Sequence, residues 1–124
     1  MVVMKALGLR TVIYPTRSLD DAKRWYTAAF SVAPYFDQPF YVGFEIAGYE
    51  LGLNPGAEVA DGPVTYWGVD DPQAAVDELV SIGATLTEAV HDVGDGILVA
   101  TVRDPWGHLI GLIRNPHFKL PDQG

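Results

Sequence analysis

A chain of 124 residues, 48% hydrophobic and 19% charged, is long enough to bury one core and too apolar to stay disordered. It has no cysteine, which excludes disulfides, thiolate metal sites and cysteine nucleophiles. The formal charge is −8 and no Lys or Arg occurs between Trp25 and Val102, so the chain lacks the basic face that nucleic acid or anionic lipid requires. Such a field suits a neutral or cationic small molecule, although acids can equally be plain solvated surface. Apolar stretches are short and interrupted, so no segment is expected to span a bilayer, and residues 1–8 are too short for a signal peptide. A cytoplasmic protein is therefore expected.

In chain order, residues 11–16 (TVIYPT) are β-branched and aromatic and predict a strand. Ser18, with Asp21 three residues later, predicts a helix start. Leu19, Ala22, Trp25, Tyr26, Ala29 and Phe30 then fall on one apolar stripe. Pro34 and Pro39 punctuate the chain. Residues 40–46 and 49–53 predict two strands around an Ala47-Gly48 turn. Residues 54–63, rich in Gly and Pro, predict a joint.

The second half repeats the order. Residues 64–69 predict a strand. Asp71 predicts an N-cap with Pro72 in the first helical position, where proline is favoured. Val76, Leu79 and Val80, with Ala75 beside them, predict the apolar stripe, and Gly83 the C-terminal cap. Residues 84–86 predict a short strand. Residues 97–102 and 108–113 predict a hairpin about Asp104-Pro105-Trp106-Gly107. The fold class expected is α+β, a single domain of two βαβββ modules at about 9–54 and 63–114, with a tail at 115–124. Each helix covers one sheet face; curving the two bare faces together would form a cleft.

Three segments carry a family resemblance. Residues 19–27 (LDDAKRWYT) resemble the first-helix signature of the vicinal oxygen chelate (glyoxalase/bleomycin resistance/dioxygenase) superfamily. Val69-Asp70-Asp71, followed by an Ala-rich helix ending Ile82-Gly83-Ala84, resembles its second. Asp104-Pro105-Trp106-Gly107-His108 resembles its last hairpin, where Asn is usual at the His108 position. Together they span about residues 9–114. The superfamily includes glyoxalases, dioxygenases, epimerases, thiol transferases and drug-sequestering proteins, so the resemblance speaks for fold before function.

By this resemblance the superfamily's four metal ligands fall at Thr11, Glu50, Val64 and Gly111, where His or Gln, Glu, His and Glu are usual. Only Glu50 retains a ligand. One carboxylate does not make a transition-metal site, so no metal and no cofactor are expected. His91, in a predicted loop beside Asp92, His108 in the hairpin and His117 in the tail are too dispersed to rebuild one.

Strand alternation places Thr11 with Ile13, Val64 with Tyr66, and Gly111 with Ile113 on common faces. Glu50 joins them through the family register. The expected ligand-binding residues are thus Thr11, Ile13, Glu50, Val64, Tyr66 and Gly111, with Tyr41. Glu50 would serve as general base, neutral donor or partner for a cation; alternatively it pairs with Arg10, Arg103 or Arg114. Tyr35, Phe36, Phe40, Tyr41, Phe44 and Tyr49 lie within fifteen residues. They make either core or a stacking wall for a flat or cationic ligand. Trp67 is expected in the core and Trp106 at an exposed turn tip. No nucleotide-binding glycine pattern and no G-x-S-x-G motif occurs, and the Asp pairs at the helix starts complement the macrodipoles.

Two functions follow as expectations: metal-independent binding of a small molecule, or a glyoxalase-like lyase or isomerase using Glu50 as general base. A third, a lyase on unorthodox metal ligands, would need the histidines. The resemblance also implies a homodimer.

Overall fold

The computed structural model describes residues 4–120. Residues 1–3 of the leading segment and 121–124 of the expected tail lie outside the described residues. In chain order come β1 (Gly8–Pro15), α1 (Leu19–Phe30), β2 (Phe36–Gln38), β3 (Tyr41–Ile46) and β4 (Tyr49–Asn54). After a 3-10 turn (Val59–Asp61) follow β5 (Val64–Gly68), α2 (Pro72–Ser81), β6 (Thr85–Asp92), β7 (Leu98–Arg103) and β8 (Leu109–Arg114). Strand–helix–strand–strand–strand is written twice, as the α+β reading expects. The contacts divide the chain into two compact units: Thr11–Val64, and Thr65–Phe118 with the segment ending at Arg10.

In the first unit the strands lie in the order β2-β3-β4-β1. β3 is antiparallel to β2 and β4, and β4 is parallel to β1. The β3–β4 turn has positive φ at both Ala47 (51°) and Gly48 (91°). Such a turn matches the right-handed twist of the strands it joins. Val42, Phe44, Leu51 and Leu53 point to one face and form the buried core, with Leu19, Ala22 and Tyr26 of α1 packed on them. Fully burying a side chain such as Phe44 or Leu53 contributes roughly 1.5–3 kcal/mol. Alternation turns Thr11, Ile13, Tyr41, Gly43, Glu45, Glu50 and Gly52 to the opposite face.

The helix stripe is narrower than expected. Trp25 is 65% exposed and Phe30 is also exposed, stacked on Tyr26 at 6.1 Å. The helix sits on its sheet through the 19/22/26 line, and Trp25 lies too far around its circumference to reach it. The sequence also concealed β2, a three-residue exposed strand between Pro34 and Pro39.

The second unit repeats the layout, β5-β8-β7-β6, with β5 parallel to β8. Leu7 N–H donates to the Gly68 carbonyl at the end of β5. Asp71 caps α2 by accepting from Ala74 N–H at 3.1 Å. Val69, Ala75, Val76, Ala100, Val102 and Leu112 form the core. Val80 is exposed, so the stripe turns one position toward Ala75. β6 runs eight residues rather than three and is exposed along most of its length, with register shifts against β7. His91 therefore lies in a strand, opposite Val99, and not in a loop. Trp67 is 37% exposed rather than core, since the helix-side core closes over Leu112, its partner on β8, without covering the larger ring.

Candidate functional site

Glu50 is the centre of the first unit's polar face. β1 and β4 run parallel with Thr11 opposite Glu50, and the Thr11 hydroxyl donates to Glu50 Oε1 at 3.1 Å. The Tyr35 hydroxyl donates to Glu50 Oε2. Tyr35 comes from the segment between α1 and β2 and is held there by its N–H, which donates to the Gly43 carbonyl at 3.0 Å. Gly43 leaves space for this arrangement: a Cβ there would stand 3.0 Å from both Glu50 Oε2 and the Tyr35 ring. Both carboxylate oxygens thus accept from hydroxyls, and the guanidinium partners considered from sequence are not used. Arg10 instead stacks on the Phe118 ring at 3.9 Å, and Arg103 donates to the Gly107 carbonyl. Desolvation at its hydroxyl, then the hydrogen bond and the charge of Glu50, and then the charge of Glu45, push the Tyr35 phenol well above its ordinary range.

Tyr41 lies across the same face. A Cβ on Gly52 would come within 2.8 Å of Tyr41 Cε1, so the phenol ring fills the place of a side chain at residue 52. Phe36 connects Tyr41 (6.1 Å), Phe40 (5.9 Å) and Tyr35 (6.5 Å) into one aromatic cluster. Phe44, counted with them from sequence, is fully buried on the other face. Most of the wall is nevertheless exposed, Phe40 at 67% and Tyr35 at 62%, which suits contact with a ligand better than core packing.

Among the expected ligand-binding residues, Thr11, Ile13, Tyr41 and Glu50 share this sheet face. Val64 opens β5 and is half-buried. Tyr66 and Gly111 meet in the second unit, opposite each other on β5 and β8. The ring of Tyr66 covers Gly111: a Cβ at 111 would stand 2.6 Å from its Cγ. Burial, followed by the Glu88 carboxylate, pushes the Tyr66 phenol up to about 12. The Thr87 and Thr101 hydroxyls meet at 2.7 Å nearby in the register, Thr101 opposite Gly111. Tyr35 was missed as a partner of Glu50, because its segment has no periodicity to aim it; its membership of the aromatic cluster was the only signal.

A divalent ion does not fit the residues at the positions where the resemblance implies metal ligands. Val64 and Gly111 offer no donor, Thr11 offers a hydroxyl, and both oxygens of Glu50 already accept. Among the described residues no group of three His, Asp or Glu is placed to hold a metal. His91 pairs with Glu88 at 3.1 Å rather than with Asp92, which accepts from Gly94 N–H instead. His108 meets Asp104 at 3.0 Å and His117 meets the Asp95 carbonyl at 2.9 Å.

The model of the glyoxalase/bleomycin resistance protein/dioxygenase superfamily matches residues 8–112. The chain belongs to this superfamily. Solved structures agree on the fold. Methylmalonyl-CoA epimerase from Mycobacterium tuberculosis aligns with a TM-score of 0.72 at 19% identity, over 94% of this chain and 93% of that one. The Streptomyces coelicolor methylmalonyl-CoA epimerase in complex with 2-nitronate-propionyl-CoA aligns at 0.74 and 15%, over 94% and 100%. A superfamily member from Vibrio splendidus 12B01 aligns at 0.64 and 14%, over 86% and 97%. No curated protein matches the chain. At such identities the likeness is one of fold. In this member hydroxyls lie on both oxygens of Glu50. No helix among the described residues is long and apolar enough to cross a membrane.

Proposed function

We propose that this superfamily member is a cytoplasmic, metal-independent binding protein for a small neutral or cationic molecule, acting as a homodimer without nucleic-acid or membrane partners. The observation that carries this reading is the Glu50 carboxylate, oriented from both sides by Thr11 and Tyr35 beside an exposed aromatic cluster. A fixed carboxylate supplies charge and direction, while aromatic faces attract flat or cationic groups. In this reading Thr11, Ile13, Tyr41, Glu50 and Val64 are the ligand-binding residues of the first unit; in the second unit Tyr66 makes the contact and Gly111 lies beneath its ring. Sequestration needs no bond change in the ligand, so nothing further is required of Glu50.

The test has two arms. Native mass spectrometry with Mn²⁺, Co²⁺, Ni²⁺ and Zn²⁺ is expected to give no stoichiometric tight complex; one ion per chain would overturn metal independence. A binding screen of flat cations is expected to give saturable ligands that weaken in Glu50→Gln.

A second reading is favoured by the Thr11–Glu50–Tyr35 arrangement itself. A carboxylate with hydroxyls on both oxygens can also accept a proton beside a carbonyl, as a lyase or isomerase requires. The similarity in fold to epimerases is compatible with it. Turnover of methylglyoxal hemithioacetal that disappears in Glu50→Gln would establish that reading, and its absence in the wild type argues for binding.

A further inference from the structure

At the C-terminal ends of the parallel strands β1 and β4 the first unit has a cavity of about 320 Å³, lined by Thr16, Arg17 and residues 55–60. The strand ends are tied by Thr16 N–H, which donates to the Asn54 carbonyl at 3.1 Å. Asn54 Oδ1 in turn accepts from Gly56 N–H at 2.8 Å, fixing the start of the loop. This cavity takes no part in the Glu50 surface: none of its lining residues belongs to that site.

Among the described residues, three of its features lack protein partners. The Thr16 Oγ1 atom is buried and, among the described residues, has no hydrogen-bond partner. A buried hydroxyl left unpaired costs about 1–3 kcal/mol, so such atoms usually await water or a ligand. Among the described residues the Arg17 guanidinium makes no ion pair, and neither does the Glu58 carboxylate, although both line the same cavity. On α1, by contrast, Lys23 pairs with Asp37 and Arg24 with Asp21.

We propose that this cavity is a second binding site, for a small zwitterion of amino-acid size that bears one carboxylate and one ammonium group. Arg17 takes the carboxylate, through the planar fork that matches such a group. Thr16 donates its hydroxyl hydrogen to the same carboxylate, and Glu58 accepts from the ammonium. An isolated anion would gain Arg17 but face Glu58; an isolated cation would gain Glu58 but face Arg17. A ligand with both charges meets both side chains at once. The volume, near the lower end for small-molecule pockets, favours a metabolite of few atoms.

Heteronuclear NMR titration of the full chain tests this with β-alanine, L-serine, acetate and methylammonium as probes. One of the zwitterions is expected to shift the amides of residues 16–17 and 56–60 saturably, and at least tenfold more tightly than acetate or methylammonium. Arg17→Ala and Glu58→Gln, both at exposed positions, should each weaken it tenfold or more. Thr16→Val should weaken it while keeping the melting temperature at or above that of the wild type. Glu50→Gln should leave it unchanged, so this site stands or falls separately from the proposed function. The absence of saturable shifts with either zwitterion, equal affinity for acetate, or indifference to Arg17→Ala would each overturn the proposal.

Discussion

Tyr66 and Gly111 face each other across the parallel strands β5 and β8, and the phenol ring fills the space that a side chain at 111 would need. The position at which the superfamily resemblance implies a carboxylate ligand is thus closed by a neighbour's ring. Gly111→Ala is expected to destabilise by about 1–3 kcal/mol, the ordinary cost of overpacking. Combining it with Tyr66→Ala should recover part of that loss, because the two residues share one volume. Thermal and denaturant unfolding of the wild type, the two single variants and the double variant measures the coupling; strict additivity would mean that ring and glycine do not compete.

The hydroxyls on Glu50 define an order of importance for ligand binding. Glu50→Gln removes the charge but keeps the shape and is expected to weaken a flat cation tenfold or more, with a melting temperature close to that of the wild type. Tyr35→Phe and Thr11→Val each leave the charge but free one oxygen to reorient, so smaller losses are expected, about two- to fivefold. Calorimetric titration of the three variants checks the ranking.

The parts of this site that strand alternation governs were legible in the sequence. Thr11 opposite Glu50, and both on the face away from Phe44 and Leu53, follow from a period of two residues and a resemblance that fixed the register. Tyr35 was not legible as the second partner of Glu50, because a short irregular segment gives no direction to its side chains. β2 was hidden by Pro34 and Pro39, which flank it so closely that the stretch reads as punctuation. His91 was misplaced for a related reason: β6 is exposed on nearly every residue, so it has no alternation to betray a strand. Trp25 fits the helix period, but only the 19/22/26 line touches the sheet, and the periodicity alone does not give the width of the contact.

Alkaline titration should separate the tyrosines. The phenols of Tyr35 and Tyr66 are both raised, the latter to about 12, so the folded protein holds their protons where an unfolded chain releases them. For a group with a raised folded value, the stabilisation is complete below the unfolded value of about 10 and is lost as the pH rises through the folded value. Absorbance at 295 nm should therefore show at least two of the six tyrosines ionising late, and stability falling above pH ~10. Tyr35→Phe and Tyr66→Phe should each remove one late step; uniform ionisation near pH 10 would contradict this geometry.

The Asp104 turn should respond at the other end of the scale. Partial desolvation pushes its carboxyl up, but hydrogen bonds from the His108 N–H, the His108 ring and the Trp106 N–H outweigh this and hold it below the ordinary value. A depressed value means stability that is present above the unfolded value, about 4, and lost as the pH falls through the folded one. Asp104→Asn should flatten this acid limb of the stability profile. An unchanged limb would show that the turn carries none of it.

The central claim is that Glu50 and its aromatic surroundings bind a small molecule without a metal, and of the neutral and cationic ligands proposed a flat organic cation draws on both the charge and the rings. Isothermal titration of acriflavine into the protein in excess EDTA tests it most directly. The expected result is saturable binding of one molecule per chain, unaffected by the chelator and at least tenfold weaker in Glu50→Gln. Binding that required a divalent ion, or that was equally tight in Glu50→Gln, would contradict it.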